Sequence, residues 1–330
     1  MIEKKCIDMS VIMSIYNEPI EWVKQSINSI LNQTFNNFEF IIINDNPERL
    51  SNNKLLKQYK EIDPRVLIIS NKQNIGLTKS LNIGLEKAKG KYIARMDADD
   101  ISYKERLEKQ FEFLELNPDY IVCGTQIKFF GDQIKSSSPR WIKFNDFEIK
   151  SRLLLSTVFA HPTVMIRRDV LLKNNLKYDE SFKQAQDYSL WVALYPFGKF
   201  HNLEDVFLDY RISDRQITSK SSCAQANYVI TIRKKHLTSI ISKEFVDQMN
   251  SSELNLSFLI KIKKYFKDKR IDKNIKNNII YLVYLSIKKR GILVLLYYFF
   301  SLDFLNKTED YAFFKIIENI ILPSRKPKRL

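Results

Sequence analysis

The run Phe40-Ile41-Ile42-Ile43 constrains the fold more than any other stretch of this chain. Four consecutive apolar residues leave no side for water, so they read as a central strand covered on both faces, the environment of a parallel sheet with helices packed on each side. Similar runs recur at residues 10–15, Val66–Ser70 and Tyr92–Met96. Between them the apolar period changes to that of a helix. Pro19 suits a first helical turn, where its missing N–H has no partner to lose, and Ile20, Val23, Ile27, Ile30 and Leu31 then share one helical face. Leu77, Leu81 and Leu85 repeat that spacing until Gly90 supplies a stop, and a further helix over about 103–116 closes before Pro118. Alternation of this kind predicts an α/β fold. Tyr120–Phe130 reads as extended, as do 158–167 and 206–211, with a helix starting near Gln186 between the last two.

With 330 residues, 45% of them hydrophobic, the chain can bury one large core and a smaller appendage. The composition shifts near residue 220, so domains at 1–220 and 221–330 are expected. The second holds 21 lysines and arginines against 9 aspartates and glutamates, a surplus of 12 within a chain total of +15. Basic residues collected in a tail fit an anionic surface such as a membrane leaflet, whereas a nucleic-acid enzyme spreads them along its groove; a lysine-rich solvated face is the plainer alternative. Segment 291–305 is apolar but shorter than the ~20 residues a membrane-spanning helix needs, and reads as a core helix, with a helix lying in the membrane interface as the alternative. Cys6, Cys123 and Cys223 are dispersed and odd in number, offering neither a disulfide framework nor a metal cluster. Acidic and polar residues near the N-terminus replace the apolar run of a secretion signal, so a cytoplasmic location is expected.

In open α/β sheets ligands bind beyond the carboxyl ends of the strands. The residues delivered there are Tyr16-Asn17, Asp45 and Asp97-Ala98-Asp99-Asp100. Only seven glycines occur, and neither a G-x-G-x-x-G nor a Walker A sequence, so ordinary dinucleotide and P-loop chemistry are disfavoured. Three carboxylates within four residues repel one another unless a cation compensates, and hard oxygen donors select Mg²⁺ or Mn²⁺, which bridges to a diphosphate. Asp100 has a second reading, as a cap for the helix at 103–116.

The ordered set S-V-I-M-S-I-Y-N, F-E-F-I-I-I-N-D-N, N-I-G-L-T-K-S-L-N-I-G and G-K-Y-I-A-R-M-D-A-D-D resembles glycosyltransferase family 2 of the bacterial surface-polysaccharide type, over roughly residues 8–215. The later motifs F-A-H-P-T-V-M-I-R-R, Q-D-Y-S-L-W and Y-R-I-S agree with it. The resemblance implies a GT-A, Rossmann-like nucleotide-diphospho-sugar transferase fold: a mixed sheet flanked by helices, with a C-terminal α-helical extension. Residues 8–130 would bind the nucleotide sugar, and 131–220 would complete the acceptor and catalytic side. Carried over by position, Tyr16 borders the uracil of a UDP-sugar with Ser14 and Asn17 beside it, and Asp45 hydrogen-bonds the base. Asn44 stands where the family usually has a first Asp. Asp99 is the metal carboxylate, with Asp97 nearer the ribose, and Arg95 faces the nucleotide or else the surface. Lys79 offers a positive charge near Leu81, where relatives have Arg. His161 lies near the diphosphate or acceptor, or else satisfies a buried hydrogen bond. Asp187, preceded by Gln186 in place of the usual Glu, is the catalytic base and also a helix cap; Trp191 reads as core.

The resemblance implies an inverting, metal-dependent hexosyl or N-acetylhexosaminyl transfer. One carboxylate takes the acceptor proton, and no second acid is needed because Mn²⁺ or Mg²⁺ absorbs charge on the leaving diphosphate. The acceptor would be a glycan, lipid-linked, in capsule, O-antigen or lipooligosaccharide assembly, with the enzyme peripheral on the inner leaflet and no nucleic-acid partner. The competing readings are a non-catalytic nucleotide- or nucleic-acid-binding module and a metal-dependent nucleotidyltransferase.

Overall fold

A computed structural model describes residues 6–131, 137–213, 222–250 and Ile279. The apolar segment 291–305 and most of the basic tail lie outside the described residues. Two compact units are present, Met1–Leu153 with Thr157–Ile230, and Leu154–Ser156 with Thr231–Leu330.

The first unit is built on one eight-stranded sheet. Its elements in order are β1 (Met9–Ile15), α1 (Ile20–Leu31), β2 (Phe38–Asn44), α2 (Leu50–Ile62), β3 (Val66–Ser70), α3 (Leu77–Lys87), β4 (Tyr92–Met96), β5 (Ile101–Ser102), α4 (Arg106–Leu116), β6 (Tyr120–Phe130), α5 (Asp146–Leu153), β7 (Met165–Arg167), α6 (Arg168–Lys173), α7 (Gln186–Leu194) and β8 (Lys199–Arg211). The strand order is β3-β2-β1-β4-β7-β6-β8-β5. β3, β2, β1 and β4 run parallel, β7 is antiparallel to β4 and β6, β8 is parallel to β6, and β5 is antiparallel to β8. The sheet is therefore mixed, as the sequence implied. Every residue of β1, β2 and β4 is buried, which accounts for their mostly apolar composition, with Ser10, Glu39 and Arg95 among the buried polar exceptions, whereas the edge strand β3 is only partly covered.

Topology places the site. The chain winds outward from β1 through β2 to β3, then returns to β4 on the other side of β1. Connections diverge between β1 and β4, a topological switch point beyond whose carboxyl ends ligands bind in open α/β sheets. At the opposite ends, Gly90 lets the α3–β4 turn lie flat on β1. A Cβ there would stand 2.4 Å from the Met9 carbonyl carbon and 2.5 Å from the Ser10 nitrogen, while the Gly90 N–H donates to Ser10 Oγ at 2.9 Å. Both obstacles are backbone, so Gly90→Ala is expected to destabilise the protein by about 3 kcal/mol, read as a lowered midpoint in chemical denaturation.

Some elements differ from expectation. α2, with Asn52, Leu55 and Leu56 buried, occupies a stretch whose polar residues mask its period. β5 intervenes before α4, which begins at Arg106, so Asp100 is not its cap. Within 158–167 only Met165–Arg167 is a strand, because His161-Pro162-Thr163 forms a 3₁₀ turn instead. In the second unit Ile232, Leu237, Ile241 and Val246 are buried, and Lys234 pairs with Asp247 at 2.8 Å. Helices α8 (Ser222–Ile240) and α9 (Lys243–Asn250) agree with the helical character expected after residue 220. No helix among the described residues is long and apolar enough to cross a membrane.

Candidate active site

The acidic turn follows β4 directly and its backbone is held from two sides. Ser26 Oγ on α1 donates to the Asp97 carbonyl at 2.6 Å. From β8, Arg211 Nε donates to the Asp99 carbonyl at 2.7 Å and the Arg211 N–H donates to Asp100 Oδ1 at 2.8 Å. The Asp97 carboxylate pairs with the Arg95 guanidinium, which is buried at the end of β4. Glu18, two residues past Tyr16, joins this group and accepts the Tyr16 N–H at 2.7 Å.

Crowding of the carboxylates shifts their protonation. Burial, then the charges of Asp97 and Glu18, push Asp99 up to about 7. Burial, offset by backbone hydrogen bonds and reinforced by repulsion from Asp97, raises Glu18, and burial followed by repulsion from Asp99 and Asp97 holds Asp100 well above the usual carboxylate range. A divalent cation would relieve this repulsion, so the donor set fits one: Asp99 and Asp97 would hold it, with Glu18 behind. Among the described residues no three acidic, histidine or cysteine side chains form a complete cage. Mg²⁺-like ions need no such cage, since they take one or two protein carboxylates and complete their shell with phosphate oxygens and water. Linkage gives a prediction. A carboxyl group raised in the folded state stabilises the fold below its unfolded pKa, and that stability is lost as pH rises through the folded value. The metal-free protein should therefore melt at lower temperature at pH ~8 than at pH ~5, and Asp99→Asn should flatten the difference, as followed by calorimetry.

A second carboxylate lies apart from the turn. Ala185 adopts a left-handed conformation, φ 60°, a strained state for a residue with a Cβ, and from it α7 starts. Asp187 in the first turn of α7 is half-buried, and its Oδ2 accepts from Thr157 Oγ1 at 3.2 Å. Burial raises its pKa against the opposing pull of the Tyr188 N–H, Thr157 and the Arg95 charge. The Arg95 charge thus bears on Asp97, Asp99, Asp100 and Asp187 alike, which ties the two carboxylate sites together. His161 Nε2 meets Tyr178 Oη at 2.8 Å. Burial, with the Arg95 charge adding to it, keeps the imidazole neutral, far below its ordinary range. Arg106, at the start of α4, donates to the Pro162 carbonyl and so fixes the turn that carries His161.

Each expected residue can be located. Ser14 is buried near the end of β1, and the Tyr16 ring is exposed while its carbonyl accepts from Asn52 Nδ2 at 2.9 Å. Asn17 accepts from Asn46 Nδ2 at 2.7 Å on the same rim. Asp45 is engaged by the loop before α3: its Oδ1 accepts from Asn71 Nδ2 at 2.7 Å and the Ile75 N–H at 2.9 Å, and its Oδ2 accepts from the Gly76 N–H at 2.9 Å. A carboxylate has about four lone-pair directions, so one is left for a base. Lys79 is exposed on α3, flanked by the buried Thr78 and Ser80, and has no partner among the described residues. Trp191 is fully buried and meets Phe159 edge-on at 5.2 Å, a core role. Of the site residues, Glu18, Gln25, Ser26, Thr157 and Tyr178 carry no signal alone; Glu18 directly follows the Y-N motif, and Arg211 lies within Y-R-I-S, where the sequence alone assigns it no role.

The chain is similar to known glycosyltransferases in sequence and in fold. The model of the family described as glycosyl transferase family 2 matches residues 10–174. An uncharacterized glycosyltransferase of Methanocaldococcus jannaschii is 38% identical over 235 residues, covering 70% of this chain and 76% of that protein. The O-antigen biosynthesis glycosyltransferase WbnJ of Escherichia coli is 36% identical over 252 residues, covering 72% and 94%. Among solved structures, S. aureus TarS residues 1–349 in complex with UDP-GlcNAc superposes with a TM-score of 0.59 at 19% identity, covering 85% of this chain and 81% of that one. The mannosyltransferase PcManGT of Pyrobaculum calidifontis, in complex with GDP-Man and Mn²⁺, gives 0.54 at 15% identity, covering 89% and 79%. The fold is thus GT-A-like, and with the extent of the sequence match the chain belongs to glycosyltransferase family 2.

Proposed function

We propose that this glycosyltransferase moves a hexose or N-acetylhexosamine from a UDP-sugar, with inversion, onto a hydroxyl of a glycan acceptor. The observation that carries the reading is the separation of two carboxylate sites that share the Arg95 charge: the crowded Glu18, Asp97 and Asp99 group, and the solitary Asp187. A bound Mn²⁺ or Mg²⁺ supplies charge neutralisation where the diphosphate departs. Asp97 and Asp99 orient the donor, and the Tyr16 ring, exposed at the rim, offers a face to the base. Asp187 removes the acceptor proton through Oδ1, its Oδ2 being held by Thr157. Its raised pKa makes it a stronger base than a free aspartate while it stays ionised above that value, so the rate rises with pH through it. Arg95 pairs with Asp97, and its charge also limits the rise of the Asp187 pKa.

The acceptor is proposed to be lipid-linked and the pathway one of surface-polysaccharide assembly. Support comes from the relatives WbnJ and the amylovoran biosynthesis glycosyltransferase AmsE of Erwinia amylovora, 29% identical over 213 residues. The 12-charge surplus of residues 221–330 suits an enzyme held against an anionic cytoplasmic leaflet. Incubation with UDP-hexoses, UDP-N-acetylhexosamines and GDP-mannose in Mn²⁺, scoring nucleotide release, tests the donor class. Release of UDP from at least one UDP-sugar is the expected result. Turnover confined to GDP-mannose would remove the uridine assignment, and release of inorganic diphosphate would favour a nucleotidyltransferase.

A further inference from the structure

Arg211 ends β8, and its side chain bridges the acidic turn and α1. Besides the Asp99 carbonyl and the Asp100 carboxylate, which its Nε and N–H engage, it donates from a terminal nitrogen to Gln25 Oε1 on α1 at 2.7 Å. The guanidinium lies 4.5 Å from the ring centre of Trp22 and 4.4 Å from that of Phe130, so it is packed by two aromatic rings. The strand beneath is fixed as well. Phe130 pairs with Arg211 in the β6–β8 register, and at the next residue a Cβ on Gly131 would come within 2.5 Å of the Ile212 carbonyl. Arg211 thus starts from a paired strand end and terminates on the backbone of the acidic turn, at the Asp99 carbonyl.

We propose that Arg211 is the positioning residue for the cation-binding carboxylate: through the Asp99 carbonyl it sets where that side chain presents its oxygens, and through Gln25 it locks the turn to α1. The inference rests on the reading of Asp99 as a metal ligand. The chemistry explains the residue type. A turn carrying three carboxylates is pushed apart in the absence of metal, and a planar cation with donors on its edge can hold the turn's backbone while its faces pack on aromatic rings. A lysine ammonium is a point charge without that edge, so it cannot serve the Asp99 carbonyl and Gln25 in the same plane. Arg211 does not touch the reacting atoms; its effect is on how well a preformed ligand geometry meets the ion.

The test is calorimetric titration of UDP into the full chain at a series of Mn²⁺ concentrations, for the wild type, Arg211→Lys, Gln25→Ala and Asp99→Ala, with a melting curve for each. Arg211→Lys is expected to need at least about tenfold more Mn²⁺ for half-maximal UDP binding, with the donor KM rising more than kcat falls and the pH profile of kcat unmoved. Gln25→Ala, which leaves the aromatic packing intact, should shift the Mn²⁺ requirement about threefold in the same direction. Wild-type Mn²⁺ dependence in both variants would overturn the inference. So would a fall in affinity matched by an equal fall in melting temperature, since that marks a purely structural residue. If instead the wild type binds UDP equally without Mn²⁺, and Asp99→Ala changes nothing, the reading of Asp99 fails first.

Discussion

Asparagine at position 187 is expected to lower kcat by about 10³-fold while leaving the affinity for UDP and Mn²⁺ within about twofold of wild type. The amide keeps the size of the side chain and can still meet Thr157 Oγ1 and the Tyr188 N–H, so the start of α7 should hold. What it removes is the carboxylate oxygen proposed to take the acceptor proton. A factor of 10³ corresponds to about 4 kcal/mol in the transition state, within the range of general-base catalysis. The wild-type profile should rise with pH through the raised pKa of Asp187 and then level off, and the variant should lose that limb. Unchanged kcat in Asp187→Asn would remove the residue from the base role.

Alanine at position 99 should weaken Mn²⁺-dependent UDP binding by about a hundredfold or more and reduce transfer below detection at ordinary donor concentrations. Its effect on the empty protein should have the opposite sign. Asp99 is pushed up to about 7 because burial and two neighbouring carboxylates oppose its charge, so removing it relieves repulsion and should raise the melting temperature of the metal-free enzyme above pH ~7. Loss of function with gain of stability is the signature of a site whose strain serves binding. A variant that binds UDP normally, or that melts lower in the absence of metal, would show that the turn is held for a different reason.

Much of the architecture could be read from residues because its determinants are local. β1, β2 and β4 are mostly apolar on both faces because every residue in them is buried, and polar residues follow at their carboxyl ends. α2 was not legible: its buried face includes Asn52, whose side chain hydrogen-bonds the Tyr16 carbonyl, and a buried asparagine breaks the apolar period. β5 is too short, at two residues, to leave a pattern. The 3₁₀ turn at His161 depends on Arg106, more than fifty residues earlier, donating to the Pro162 carbonyl.

The candidate site divides in the same way. Asp97, Asp99 and Asp187 stand out as carboxylates where charge needs a reason. Arg95 was open between nucleotide and surface, and its burial within reach of both carboxylate sites resolves the surface alternative against it. Asp45 was expected at the base, yet three of its hydrogen bonds organise the Asn71 to Gly76 loop, a long-range use that no spacing discloses. Ser26, Thr157 and Arg211 act through backbone carbonyls or a single carboxylate oxygen, contacts that depend on the fold and not on any local pattern.

The account depends on acidic side chains of the 97–100 turn joining a divalent ion to the donor's diphosphate. Titrating UDP into the wild-type chain in Mn²⁺ and again in excess chelator tests this most directly. Saturable binding in Mn²⁺ that falls at least about a hundredfold in chelator is the predicted result. Equal affinity in both conditions would contradict it.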